Sequence, residues 1–552
     1  MMKKVFFILS TLFLLMACSN LEQAIDEKAT VDGQDIKVNI VIKQANITAD
    51  TKATVKTAFA DGDKVFLLFE DVAAPKYLEL AYNSGSWTPS AKNGLDSGDL
   101  PASGEMTALY LPYGKDFTVA ADGTSFLFQK DGENYSGHFY YKENVSYTFE
   151  SNTVTAGSVT LVAAAPASGD LLVHFDVSGY TTGHSYNMYQ DYMKPMSLTS
   201  IAADGTVSTT TGSMGDAIRG YEDASFLSFS GVLDATVNGN EVDYWFSIRD
   251  TETGKLYYRD AGTKSIDANK YIGLGSFSEK WSVATQGAFS VSDTKTITFA
   301  RSNLAYFGAS NHVHPWRLME YPWSIIESGP DNSPIILGEN EDFSLFAWAT
   351  SGYADPTRPD WDWTPWKTDN SGSKYGPAIG SGEWTSDSDQ WDWAIYNDIY
   401  EFGGNTPLSG WRTPTADEWI NIFARSDTYI FANATVNSVA GMMLFPDGFT
   451  LPDGVAAIVN INGYMSFTAN VFSLSQWDRL EAAGVVFLPA AGCSSRGTSQ
   501  FTQVGTMGYY QSSTAYNSSQ AHQMRFSATN GQPANHGYRQ SGFSVRLVRD
   551  LN

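Results

Sequence analysis

The chain has 552 residues, with 60 acidic side chains against 35 basic ones and a formal net charge of −25. A surface of that sign repels nucleic acid and anionic membranes, which sets aside a polyanion-binding role. A chain this long exceeds what one hydrophobic core organises, so about three domains are expected.

Lys3 and Lys4 precede an apolar run over 5–16, and Ala17 stands immediately before Cys18. A charged start, a short apolar run and a small residue before a cysteine make the order of a bacterial lipoprotein signal peptide. Residues 1–17 are therefore expected to be removed and Cys18 to carry lipid. The run is too short for a comfortable membrane span. Losing Lys3 and Lys4 takes the formal charge from −25 to −27, and with Cys18 lipidated Cys493 has no cysteine to pair with. Residues 18–35 then read as a flexible tether to the outer membrane.

From Ile36 the chain alternates Ile36, Val38, Ile40 and Ile42 with Lys37, Asn39, Val41 and Lys43, which predicts a strand with one continuous apolar face. Segments 64–70, 107–112 and 125–129 read alike, separated by the turn signals Asp61-Gly62, Ser84-Gly85 and Asp122-Gly123. They predict an antiparallel β-domain over 36–165. The small-residue stretch 163–169 reads as a joint to a second β-domain over 166–288. Its clearest strands are 171–177, 224–232 and 241–249, with Asn238-Gly239-Asn240 turning one hairpin.

Near Gly287 the character changes. Tryptophans concentrate between Trp316 and Trp419, and two helix signals appear. Thr415 with Glu418 makes a capping box ahead of Trp419, Ile422 and Phe423; Ser475 is read as the cap of a helix carrying Trp477, Leu480 and Ala483. Residues 289–552 are predicted to form an α+β domain that folds alone. The predicted class is thus multidomain and mainly β.

Two resemblances give these segments family expectations. Behind the lipoprotein start come Thr51-Lys52-Ala53, Phe59-Ala60-Asp61-Gly62-Asp63-Lys64-Val65, Ser86-Trp87-Thr88-Pro89, Ala108-Leu109-Tyr110-Leu111-Pro112-Tyr113 and Ala268-Asn269-Lys270-Tyr271-Ile272-Gly273-Leu274. In that order they resemble the fimbrillin-like surface lipoproteins of Bacteroidetes, which build or decorate type V pili. The resemblance implies two fimbrillin-like antiparallel β-domains and pilin subunits as strand-exchanging partners. In such pili the main subunits donate a C-terminal strand. Here Ser544 to Val548 reads as a core strand, so the expected place is a pilus tip or the membrane surface alone.

The second half carries Ile297-Thr298-Phe299-Ala300-Arg301-Ser302-Asn303-Leu304, Phe346-Ala347-Trp348-Ala349-Thr350-Ser351-Gly352-Tyr353, Trp411-Arg412-Thr413-Pro414, Val486-Phe487-Leu488-Pro489-Ala490-Ala491-Gly492, Gly508-Tyr509-Tyr510 and Gly542-Phe543-Ser544-Val545. This series resembles the C-type-lectin-fold modules of gut Bacteroidetes, relatives of the formylglycine-generating-enzyme fold. The oxidase of that fold holds copper with a cysteine pair, whereas this domain has Cys493 alone. No catalytic residue, metal or cofactor is carried over.

Several motifs have two readings. His312 and His314 could place two imidazoles on one strand face, but with no third ligand nearby they read as loop histidines. Asp360-Trp361-Asp362-Trp363 and Asp389-Gln390-Trp391-Asp392-Trp393 either offer indole faces to sugars or, the favoured reading, bury the indoles and leave the carboxylates in water.

Residues 511–540 are dense in short polar groups, Tyr, His and Arg, a composition suited to adaptable recognition. In related lectin-fold proteins this region binds ligand, and in some a retroelement diversifies it. The expected ligand-binding residues are Gln511, Asn517, Gln520, His522, Gln523, Arg525, Asn530, Asn535, His536, Tyr538 and Gln540. The alternative is a solvated loop. Together these expectations describe a lipid-anchored surface adhesin, not an enzyme, with a host or bacterial surface protein or glycan as ligand. The competing reading is a glycan-active or oxidising enzyme on the same fold.

Overall fold

The alternation that starts at Ile36 becomes strand β1 (Lys37–Gln44) in the computed structural model, which describes residues 36–44, 48–49, 59–72, 76–110, 117–119, 125–130, 133–134, 140–163, 171–202, 207–223, 226–234, 241–266, 270–309, 313–326, 341–354, 356, 365, 381–383, 390–494 and 501–551. Cys18 with its leader and tether, the joint at 164–169, the turns Asp122-Gly123 and Asn238-Gly239-Asn240, His312 and the Asp360-Trp361-Asp362-Trp363 string lie outside the described residues. No described helix is long and apolar enough to cross a membrane.

Packing divides the chain into two units. One holds Met1–Ala49, Thr54–Ser168 and Met196–Thr211; the other holds Asp50–Ala53, Gly169–Pro195 and Gly212–Asn552. In the first unit, β2 (Lys64–Phe69), β3 (Tyr77–Asn83), β4 (Ser86–Asn93), β5 (Ser103–Tyr110), β6 (Tyr140–Glu150) and β7 (Thr153–Ala163) join β1 in one sheet of order β1-β7-β6-β5-β2-β3-β4. All neighbours are antiparallel except β1, which lies parallel to β7. The Ser84-Gly85 turn forms as read: both residues have positive φ, 48° and 90°, the geometry a two-residue hairpin needs between β3 and β4. One face of the sheet buries Val65, Leu67, Leu78, Leu80, Met106, Tyr110, Val154 and Leu161 in a continuous core.

In the second unit, β8 (Leu171–Ser178) pairs antiparallel with β9 (Phe226–Leu233) and parallel with β12 (Lys270–Ser276). The hairpin β10 (Glu241–Asp250) and β11 (Leu256–Ser265) belongs to a second sheet with Tyr186–Tyr189. The apolar faces of the two sheets meet: Val173, Phe175 and Val177 share a core with Phe246 and Ile248, and the Phe175 and Phe246 rings are 5.0 Å apart. Further along, Thr296–Phe299 pairs with Val548–Asp550, which pairs in turn with Trp411–Arg412, so the last described strand closes a sheet with strands far earlier in the chain.

Helix α1 (Ala416–Phe423) begins at the capping box expected of it: Thr415 Oγ1 accepts the Glu418 N–H at 3.1 Å and Glu418 accepts the Thr415 N–H at 2.9 Å. Helix α2 (Leu474–Ala482) has its cap two residues earlier than predicted. Ser473, not Ser475, is the cap, because Gln476 three residues on returns the bond. Ser475 is buried inside the first turn, and the residue three beyond it, Asp478, turns to an arginine instead.

That arginine is Arg249 of β10. Fully buried, it donates Nε to Asp478 at 3.0 Å and Nη2 to Glu481 at 2.6 Å. Arg301 Nε reaches the other Glu481 oxygen at 2.6 Å, and the Trp477 indole N–H adds a 3.0 Å bond. Between the two acids on α2, Arg479 pairs with Asp243 of β10 and lies 4.7 Å over the Trp245 ring. Residues on both sides of position 288 meet in this packing: Asp243 and Arg249 come before it, Arg301 and α2 after it.

The two carboxyls of α2 titrate in opposite directions. Burial pushes Asp478 up from 3.8 to about 6 despite Arg249. Burial would raise Glu481 too, but Arg249 and Arg301 outweigh it and hold the group down from 4.5 to about 2. Asp478 therefore binds its proton more tightly folded than unfolded, and its ionisation removes stability as pH rises from 3.8 through about 6. Glu481 supplies stability above 4.5 that is lost as pH falls toward 2. Denaturant melts across this range should show Asp478→Asn escaping the loss that wild type suffers as Asp478 ionises. Glu481→Gln should cost about 3–5 kcal/mol at neutral pH, since both guanidiniums lose a buried partner. Parallel wild-type and Asp478→Asn curves would exclude the assignment.

Candidate ligand-binding face

The expected binding stretch is not a loop. It forms an antiparallel meander of β13 (Met507–Asn517), β14 (Gln520–Ser527) and β15 (Gly531–Tyr538). Asn517 turns the first hairpin, its Oδ1 accepting the N–H of Ser519 and of Gln520, each at 2.9 Å. Asn530 sits in the second turn, where its carbonyl accepts the Ser527 N–H at 2.7 Å.

Directly opposed residues share a face of a sheet, so register sorts the candidates. Gln520 opposes Tyr538 and His522 opposes His536, which brings these four together. Gln511 opposes Gln523, Gln523 opposes Asn535, and Tyr509 opposes Arg525, which places Gln511, Gln523, Asn535 and Arg525 on the other side.

The first face presents an aromatic group. Tyr516 stacks on His536 with centroids 4.0 Å apart and planes 5° from parallel, and meets His522 edge-on at 5.2 Å. Tyr516 and Tyr538 are 43 % and 47 % exposed. Tyr516 was missed among the sequence candidates. Its residue type within the same polar stretch was the available signal, but only the hairpin brings both histidines to it.

The second face is largely closed, and three candidates are corrected there. Gln511 is 1 % exposed and donates Nε2 to the Phe346 carbonyl at 2.7 Å. Gln523 is 3 % exposed, beside Asn535 at 3.4 Å. Gln540, beyond the end of β15, is 0 % exposed. These amides are scaffold: strand alternation turned Gln511 and Gln523 inward, over a face that Tyr509 and Phe543 cover as a stacked pair at 5.3 Å. Arg525 and Asn535 stay half-buried at its rim.

Buried side chains grip the meander from behind. The Trp348 indole N–H donates to the Ser512 carbonyl at 2.8 Å and that of Trp419, on α1, to the Gln511 carbonyl at 3.2 Å. The first N–H of α1, that of Ala416, donates to Thr514 Oγ1 at 2.9 Å. The Arg539 guanidinium lies 4.4 Å over the Trp348 ring and donates to the Asn517 carbonyl at 2.6 Å; burial holds its pKa down to about 10. The exposed rings thus stand on backbone whose position is set by other residues.

The remaining motifs resolve into structure. Trp391 and Trp393 are buried, but so is Asp392, against the expectation of a solvated carboxylate. It caps the short helix Trp393–Tyr396 and accepts the Thr413 N–H at 2.7 Å, bonds that offset its loss of water. His314 stacks on Tyr400 at 4.1 Å. Burial pushes the Cys493 thiol up, away from the thiolate that metal binding or nucleophilic attack needs.

A family model described as a domain of unknown function, DUF8237, matches residues 469–548, a span that contains α2 and the β13–β15 meander. The comparison with curated proteins gives no match. Solved structures with partial likeness include a candidate cell adhesion protein from Bacteroides ovatus, at 12% identity over 46% of this chain and 95% of that chain with a TM-score of 0.23. Another candidate cell adhesion protein, from Bacteroides fragilis, has 13% identity over 44% and 93% with a TM-score of 0.21. A fimbrial protein from Bacteroides ovatus has 11% identity over 94% and 99% with a TM-score of 0.17. TM-scores of this size assign neither fold nor role.

Proposed function

We propose that the chain is a lipid-anchored cell-surface adhesin. In this reading two fimbrillin-like β-domains, 36–165 and 166–288, carry a terminal lectin-fold domain, 289–552, that binds a host or bacterial surface protein or glycan. The observation that carries it is the exposed Tyr516–His536–His522 group with Tyr538, displayed on a meander that Trp348, Trp419 and Arg539 hold in place. Aromatic rings with polar edges give contact area and directed hydrogen bonds at low entropic cost. The strands Phe543–Ser544 and Val548–Asp550 pair within the chain, which keeps these residues from strand exchange and supports a pilus-tip or solitary place.

Alanine at His522, His536 or Tyr538 should weaken binding to gut mucus or host cells while moving stability by less than about 0.5 kcal/mol. Gln511→Ala should do the reverse, costing about 1–3 kcal/mol of stability through the orphaned Phe346 carbonyl. Thermal melts paired with a binding assay read both, and wild-type binding by all three face variants would end the proposal. The anchor is tested separately: a lipid precursor fed to cells should label the wild type and not Cys18→Ser.

A further inference from the structure

The sequence holds four Asn-Gly pairs, at 93, 238, 462 and 530, and the structure describes the asparagine side chain at 462 and at 530. Asparagine is chemically labile, most of all before glycine, whose missing Cβ leaves its amide nitrogen open to the side-chain carbon one residue back. Both asparagines are exposed, so solvent access does not separate them. Their hydrogen bonds do. Asn462 Oδ1 accepts the N–H of Ile430 at 2.8 Å and of Phe431 at 3.2 Å, and its Nδ2 donates to the Thr428 carbonyl at 3.0 Å. That amide cannot swing toward Gly463 while these bonds hold. Among the described residues Asn530 makes its hydrogen bonds through the backbone alone: its N–H donates to Ser527 Oγ at 3.2 Å and its carbonyl accepts the Ser527 N–H at 2.7 Å.

The attacking nitrogen is open as well. Ser527 and Asn530 share a ladder bond, so the next opposed pair, Phe526 and Gly531, is not hydrogen-bonded, and the Gly531 N–H points away from β14. Among the described residues β15 is the outermost strand of its sheet, which turns that N–H toward solvent. Packing keeps the glycine in place, since a Cβ there would run into Tyr464 Oη. We propose that Asn530-Gly531 is a self-modifying site, and this does not depend on the adhesin reading. The Gly531 nitrogen bonds to Asn530 Cγ, Nδ2 leaves as ammonia with the amide proton, and a cyclic imide closes. Solvent water then opens the ring at Cγ to give aspartate, or at the α-carbonyl to give an isoaspartyl link. No electrons are exchanged; water enters and ammonia leaves. Either product adds a negative charge, and the isoaspartyl one also takes the carbonyl that holds Ser527 out of the main chain.

The full chain, incubated folded in mildly alkaline buffer and then digested with trypsin, tests the proposal by mass spectrometry. The peptide 526–539, bounded by Arg525 and Arg539, should gain the mass difference between OH and NH2, localised by fragmentation to Asn530. Asn462, in the peptide 426–479, should convert at least about tenfold more slowly, because its hydrogen bonds must break first. In denaturant, where neither site keeps its hydrogen bonds, the two should convert at similar rates. Asn530→Gln should abolish the gain in 526–539. The proposal is overturned by no gain at Asn530 in the folded chain, by equal folded rates at 530 and 462, by a rate difference that persists in denaturant, or by a gain that survives Asn530→Gln.

Discussion

A buried charge has to be matched, and in this protein Glu481 is matched twice. Its two oxygens take one guanidinium each, from Arg249 and from Arg301, while Asp478 one turn earlier takes Arg249 again. Ions removed from water lose several kcal/mol of solvation each, which only close opposite charge and hydrogen bonds offset. Three elements are thereby tied together: β10 brings Arg249, α2 brings both acids, and the segment after Phe299 brings Arg301. No one of them can withdraw without stranding charge in the others.

The same rule of satisfaction shapes the meander in neutral form. Gln511, Trp348 and Trp419 are buried, and each spends its polar N–H on a backbone carbonyl. Strands held this way present Tyr516 and Tyr538 half-exposed, with His522 and His536 beside Tyr516. A surface organised so tolerates substitution, since what is exposed bears little of the stability. The separation is visible in one strand, where Gln511 is inside and Tyr516 outside five residues apart.

Much of the chain was legible wherever the deciding contacts are between near neighbours in sequence. The Thr415–Glu418 capping box, the Ser84-Gly85 hairpin and the alternation of β1 each depend on geometry within a few residues, and each forms at the place read. The misplaced cap of α2 marks the limit of that logic. Ser473 and Ser475 are equally good caps by type, and Gln476 and Asp478 decide between them, one by closing the box and the other by leaving for Arg249, 229 residues away. The polar character of 511–540 was legible in composition, but not the two sides into which strand register divides it.

The sequence by itself determined the acidic surface, the mainly β character and the stretch in which polar and aromatic side chains gather, because composition and short-range periodicity set these. Only the tertiary structure decided which glutamines point inward, that β12 runs parallel to β8, that Tyr516 meets two histidines, and that Arg249 neutralises acids on α2. Strand alternation constrains which residues share a face but not which face meets the core, and a charge finds its partner by proximity in space. Both depend on packing across the whole unit, which no local pattern encodes.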